Sequence, residues 1–213
     1  AGRSYQFVGA WTPAPAAEGN YMIRARVSYE VFEPTITSPE SGTVTNNENV
    51  VIEGTATPTT TISLQNNGEE VNSVVVGDDG RFSFQTVLTE GDNEFTAVSL
   101  LDGRTTGTSS PVTVTLDTVQ PELAITNPKD GETTNRETVT VEGTVSDDYL
   151  KSVTVNGEQA AVSEDGTFSK RILLDNGANE ITVVATDAAG NETVQTVSVT
   201  AKYSAPEITN LTP

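Results

Sequence analysis

Thr138-Val-Thr-Val-Glu-Gly-Thr-Val145, followed after a short acidic loop by Ser152-Val-Thr-Val-Asn-Gly157, decides the fold. In the first run Val139, Val141 and Val145 alternate with Thr138, Thr140 and Thr144. That period of two is the signature of a strand with one buried face. Gly143 interrupts it and marks a bulge or a close approach of another group. In the second run Val153 and Val155 alternate with Ser152 and Thr154. Asn156-Gly157 then closes a hairpin, because both residues of a type I′ turn need positive φ. Glu164-Asp-Gly166 is a further turn, and Phe168 and Ile172 share the face beyond it. Ile181, Val183 and Ala185 alternate with Thr182, Val184 and Thr186, and Val197, Val199 and Ala201 close the series. About seven short strands, with turn signals every 8–12 residues, predict an immunoglobulin-like β-sandwich. No amphipathic helical pattern interrupts them.

The same phrases occur earlier in the chain. Pro39, Glu53-Gly54-Thr55 and Asn67-Gly68-Glu69 return at one constant spacing as Pro128, Glu142-Gly143-Thr144 and Asn156-Gly157-Glu158. Asp79-Gly-Arg-Phe-Ser83 and Gly91-Asp-Asn-Glu94 return as Asp165-Gly-Thr-Phe-Ser169 and Gly177-Ala-Asn-Glu180, at a spacing three residues shorter. Related modules that differ by a loop deletion show this pattern. A unit of about 85 residues is too long for a solenoid repeat and suits a small sandwich. The expected organisation is module one over residues 34–119 and module two over residues 120–205, joined by Leu116-Asp-Thr-Val-Gln-Pro121. This linker is short and contains proline, which predicts limited swing. Phe82 and Phe168 are the expected core centres. The fold class is therefore all-β: two tandem sandwiches preceded by a short β-hairpin segment.

Composition agrees and excludes much chemistry. Thr (34) and Val (26) exceed a quarter of the 213 residues, and β-branched side chains suit pleated strands. With no His there is no imidazole acid–base and no Ser-His-Asp triad. With no Cys there is no thiolate nucleophile, disulfide or thiolate-bound zinc. A net charge of −19 argues against binding phosphate backbones, so no nucleic acid is expected, and it favours a soluble monomer. No stretch is apolar for the roughly 18 residues of a membrane span. An acidic, Cys-free chain of this kind suits a secreted bacterial protein, extracellular or associated with the cell wall.

The two ends are expected to be pieces of neighbouring units. Tyr21, Ile23, Ala25, Val27, Tyr29 and Val31 form one face of a clean strand. Residues 1–33, too few to bury a core alone, read as a β-hairpin remnant of an upstream domain. Pro206-Glu-Ile-Thr-Asn-Leu-Thr-Pro213 repeats the opening phrase of each module and reads as the start of a following one.

Val155-Asn-Gly157, Asp165-Gly-Thr-Phe-Ser169 and Gly177-Ala-Asn-Glu-Ile-Thr-Val-Val-Ala-Thr-Asp-Ala-Ala-Gly-Asn191 resemble bacterial Ig-like modules typified by glucodextranase domain B. The likeness covers residues 34–205. Module one departs from it where Ser99-Leu-Leu-Asp-Gly-Arg104 stands in place of Thr-Asp-Ala-Ala-Gly-Asn. Glu18-Gly-Asn-Tyr-Met-Ile-Arg-Ala25 is similar to a segment beyond the catalytic domain in bacillopeptidase F-like, subtilisin-family serine proteases, and to phrases in immune inhibitor A-like regions. The resemblance implies a non-catalytic accessory or spacer region of an extracellular serine protease. Its partners would be the parent protease domain and, beyond that, cell wall, polysaccharide or protein substrate. No catalytic residue carries over. A stalk segment of a surface adhesin and a carbohydrate-binding module are the alternatives.

One constellation suggests a ligand. Asp147 and Asp148 follow the second strand of module two, Asp187 precedes the last, and Asp117 and Glu122 flank the linker. Calcium takes six to eight oxygens, which such acids supply; the competing reading is solvated turn carboxylates. In module one Pro58, Thr59 and Leu101 stand at the matching positions, so a site is expected in module two alone. Asp78-Asp-Gly80 and Glu164-Asp-Gly166 read as hairpin turns, since they lack the acid spacing of an EF-hand. Trp11, Tyr21 and Phe7 with Arg24 and Arg26 read either as a binding platform or as the seam of the upstream domain.

Overall fold

The computed structural model describes residues 31–203. The hairpin expected within residues 1–33, its aromatic platform and the partial unit over residues 206–213 lie outside the described residues.

Module one contains β1 (Thr35–Ser38), β2 (Thr43–Thr45), β3 (Asn49–Thr55), β4 (Thr61–Asn66) and β5 (Glu69–Val75). It continues with β6 (Arg81–Val87), β7 (Gly91–Leu101), β8 (Arg104–Thr108) and β9 (Val112–Leu116). Module two contains β10 (Glu122–Asn127), β11 (Glu132–Thr134), β12 (Thr138–Ser146), β13 (Leu150–Val155) and β14 (Glu158–Gln159). It ends with β15 (Ala161–Val162), β16 (Thr167–Leu173), β17 (Gly177–Asp187) and β18 (Glu192–Ala201). No helix occurs among the described residues.

Each module is two facing sheets. In module one the order β1-β3-β6 faces β2-β9-β7-β4-β5, with β8 also paired to β7. In module two β10-β12-β16-β15 faces β11-β18-β17-β13-β14. The chain enters one sheet antiparallel and then crosses to the other, where β2 pairs parallel with β9 and β11 parallel with β18. This crossing falls at Pro39 and Pro128, whose preceding peptide bonds are both cis.

Alternation builds the cores. Ile52, Phe82, Phe84 and Phe95 meet Ile62, Leu64 and Val114 in module one. Val141, Phe168 and Ile181 meet Val153, Val155 and Val183 in module two. The two clusters are separate, so each module has its own apolar core. Gly143 is the close approach that the sequence implied, and Gly54 is its counterpart in module one. A Cβ on Gly54 would overlap the Phe82 ring and the Thr35 carbonyl, and one on Gly143 would overlap the Ala124 carbonyl and the Phe168 ring. Asn67-Gly68 and Asn156-Gly157 both have positive φ at each residue, as hairpins of their type need.

Two differences were not in the pattern. Asn66 pairs with Phe95, yet its sequence counterpart Val155 pairs with Val183 rather than Ile181. The hairpin of module two has slid by two residues, which preserves the face each side chain occupies. The single strand β18 of module two is split in module one into β8 and β9 around Ser109-Ser110-Pro111, where proline has no N–H to give the ladder.

Candidate functional site

The last strand of module one sets the position of Asp117. Its backbone N–H donates to the Thr45 carbonyl at 2.9 Å, continuing the β2–β9 ladder by one residue. Its Oδ1 accepts the Val119 N–H at 3.1 Å and so folds the linker back over the carboxylate. From module two comes Asp147, just beyond β12, with Oδ1 accepting the Tyr149 N–H at 2.7 Å. Asp187 ends β17. Its Oδ1 accepts the N–H groups of Gly190 and Asn191 at 2.7 and 2.8 Å, and its Oδ2 accepts Asn191 Nδ2 at 2.8 Å.

One carboxylate oxygen from each of Asp117, Asp147 and Asp187 lies within 4.8 Å of the other two. Asp187 is fully buried and Asp117 is 5% exposed. Oδ2 of Asp117 is buried and has no hydrogen-bond partner. Burial pushes the Asp147 carboxyl above the ordinary carboxylate range; the Tyr149 N–H opposes this, and the charges of Asp117, Asp187 and Asp148 add to it. The site opens into a cavity of about 430 Å³ between the modules. Glu90, Glu122 and Asp148 line that cavity, together with Gln120 and Tyr149, and among the described residues no Lys or Arg lines it.

Of the four expected ligands, Asp117, Asp147 and Asp187 therefore converge. Asp148 stands beside them on the cavity wall and outside the trio. Glu122 lines the same cavity. Glu90 was not among the expected residues; it accepts the Thr118 N–H at 3.2 Å and the Thr118 hydroxyl at 3.0 Å and holds the start of the linker.

Asn191 was also missed, although it closes the quoted Asp-Ala-Ala-Gly-Asn phrase. Its Nδ2 donates to the Asp117 carbonyl at 2.8 Å and the Val119 carbonyl at 3.1 Å, as well as to Asp187. Its Oδ1 accepts Asn46 Nδ2 of module one at 3.1 Å. One side chain of module two thus clasps both the linker and module one. The signal was available in the Asn191 that module one lacks, but its target lies 74 positions upstream. Thr193 Oγ1 continues the clasp by donating to the Pro121 carbonyl at 2.6 Å, and Gln195 Nε2 to the Leu123 carbonyl at 2.6 Å.

The acidic turns behave as turns. Asp79 Oδ1 accepts the Arg81 N–H at 3.2 Å, and Asp165 Oδ1 accepts the N–H and hydroxyl of Thr167 at 3.0 and 2.7 Å.

Relatives fit this picture. The chain is 48% identical over all 213 residues to bacillopeptidase F of Bacillus subtilis strain 168, and it spans 15% of that protein's length. Among solved structures, the fibronectin(III)-like modules of Clostridium thermocellum CbhA superpose with a TM-score of 0.50 at 23% identity. That match covers 80% of this chain and 94% of the other, and it bears on the fold alone. The family described as glucodextranase, domain B matches twice, over residues 33–119 and 121–203. Two modules with a shared order of main strands and two separate cores, matched in tandem over most of the chain, make this protein a member of the glucodextranase domain B family.

Proposed function

We propose that this region is a non-catalytic spacer and interaction segment of an extracellular bacterial serine protease, lying C-terminal to the catalytic domain. The observation that carries the spacer reading is the clasp of Asn191 on the carbonyls of Asp117 and Val119. A linker meant to swing freely would leave its backbone to water. Here the linker carbonyls of Asp117, Val119 and Pro121 accept from side chains of module two, so bending the junction breaks several hydrogen bonds at once. The identity to bacillopeptidase F along the whole chain supports the extracellular protease setting. The separate apolar core of each module supports a role in spacing rather than in chemistry.

Such a segment holds the catalytic domain at a fixed distance from the envelope and presents a rigid acidic surface to substrate. The test is deletion of residues 34–203 from the parent protease. Hydrolysis of a small peptide by the folded, purified enzyme should be unchanged. Retention on cell-wall preparations, or activity on large or insoluble protein, should fall. Loss of small-peptide hydrolysis by a correctly folded deletion variant would overturn the reading.

A further inference from the structure

We propose that Asp117, Asp147 and Asp187 bind one calcium ion that locks the two modules together. The inference rests on the spacer reading only for its consequence; the site itself stands on the geometry.

Three observations carry it. The first is charge. Three carboxylates from three separated segments converge, two of them buried. Burying an ion without a partner costs several kcal/mol, so buried charges are paired or bind a metal. Among the described residues no Lys or Arg lines the cavity to pair them, and three further acids do line it. The second is the lone Oδ2 of Asp117. Its carboxylate is held by the Val119 N–H on the other oxygen, while Oδ2 is buried and accepts nothing. A buried acceptor left without a donor calls for a cation.

The third is size and donor type. Oxygens bound to one calcium lie about 2.3–2.6 Å from it, so no two are farther apart than roughly 4.6–5.2 Å. The trio's oxygens, all within 4.8 Å of one another, meet that limit. Magnesium, at about 2.0–2.1 Å, demands near-ideal octahedral order and gives up its waters reluctantly. Zinc favours nitrogen and sulfur donors, and the chain has neither His nor Cys. The cavity beside the trio has room for waters of a calcium shell, and Asp148, Glu90 and Glu122 on its wall offer further carboxylate oxygens.

The consequence follows from where the ligands come from. Asp117 ends module one, and Asp147 and Asp187 belong to module two. A metal holding all three ties the modules by bonds that a solvent-exposed linker lacks. Asn191 already sets Asp187 and the linker in register for it.

The experiment uses the whole 213-residue chain, stripped with chelator, and adds calcium chloride. Titration calorimetry should show one ion per chain, with magnesium at least tenfold weaker. At a hundredfold excess over Kd, melting of module two should rise by about 10 °C. Terbium should bind in calcium's place and luminesce on excitation of tyrosine, because Tyr149 lines the cavity. Asp117→Asn keeps the Oδ1 acceptor while removing the charge, and should abolish binding; chelator-treated Asp117→Asn should melt no lower than the chelator-treated parent. Asp165→Asn, at a solvated turn, should leave binding unchanged. No heat, no terbium signal and one melting temperature with calcium or chelator would overturn the site. Binding undiminished by Asp117→Asn would overturn it equally. Scattering with calcium and with chelator reads the spacer independently: a chain equally stiff in both sinks the lock but spares the spacer, and a chain flexible in both overturns both.

Discussion

The two modules close the same pair of strands in different ways. In module one β7 turns into β8 through Asp102-Gly103, both at positive φ, the tightest hairpin available. In module two β17 ends at Asp187 and β18 begins at Glu192, leaving four residues between them. A two-residue turn closes its own hydrogen bonds and offers nothing outward. The four-residue loop wraps its N–H groups around Asp187, returns Ala188 N–H to the Tyr149 carbonyl at 2.8 Å, and presents Asn191 to the linker. The neighbouring loop differs in step, with Pro58-Thr59 in module one and Asp147-Asp148 in module two. At the exits, Asp117 bonds to Thr45 as Lys202 bonds to Thr134, so the acid of one module stands where the other has a base. Only the pole that receives the linker carries the acids. The difference teaches that one sandwich has been specialised by its loops on a shared arrangement of main strands.

The shared part gives the largest expected effect. Phe82 and Phe168 occupy equivalent places against Gly54 and Gly143. Phe82→Ala or Phe168→Ala should each cost about 3–5 kcal/mol. Because the two cores are separate, each change should lower the melting of its own module and leave the other transition close to its parent value. Calorimetry of the whole chain reads both. Equal movement of both transitions would mean that the modules unfold as one cooperative unit.

The clasp gives the next effect, and it has no equivalent in module one. Asn191→Ala removes donors to Asp117, Val119 and Asp187 and the acceptor for Asn46. The expected loss is about 1–3 kcal/mol, mainly from acceptors left unpaired. Scattering of the variant should report a wider spread of inter-module angles. An unchanged scattering profile would show that packing, not the clasp, holds the junction.

The strands of this protein were legible because their causes are local. Val141, Val145, Val153 and Val155 alternate with Thr and Ser, and all four are buried. Asn156-Gly157 and Asn67-Gly68 announce turns through their own backbone preferences. The acids at residues 147, 148 and 187 were legible as an imbalance between the repeats. What could not be read was their meeting. The approach of Asp117 depends on the β2–β9 ladder, on the fold-back at Val119 and on packing between two modules, none of which leaves a period in the sequence. Asp148 shows the cost. As a neighbour of Asp147 it looked equivalent, yet adjacent residues beyond a strand point apart, and only one joins the trio. The two-residue slide of β13 along β17 was invisible for a related reason: both registers bury the same alternating face.

The smallest effect lies at the far turns, where one residue separates the modules. Asp165-Gly-Thr167 in module two corresponds to Asp79-Gly-Arg81 in module one. The Thr167 hydroxyl and N–H both donate to Asp165 Oδ1, and the hydroxyl is the larger cause of a carboxyl held below its ordinary value. Asp79 accepts the backbone N–H of Arg81 at 3.2 Å, and the side chain at that position has no hydroxyl to give. A carboxyl with a lowered folded value binds fewer protons folded than unfolded as the pH approaches its ordinary range. Its contribution to stability is therefore present above the unfolded value and is lost as pH falls through the folded one. Thr167→Val removes the hydroxyl at nearly constant volume, so the Asp165 carboxyl should titrate closer to its ordinary value in a carbon-detected NMR titration. The acid limb of module two's melting curve should flatten slightly, while that of module one stays as it was. If Asp165 does not move in Thr167→Val, the backbone N–H alone sets its acidity.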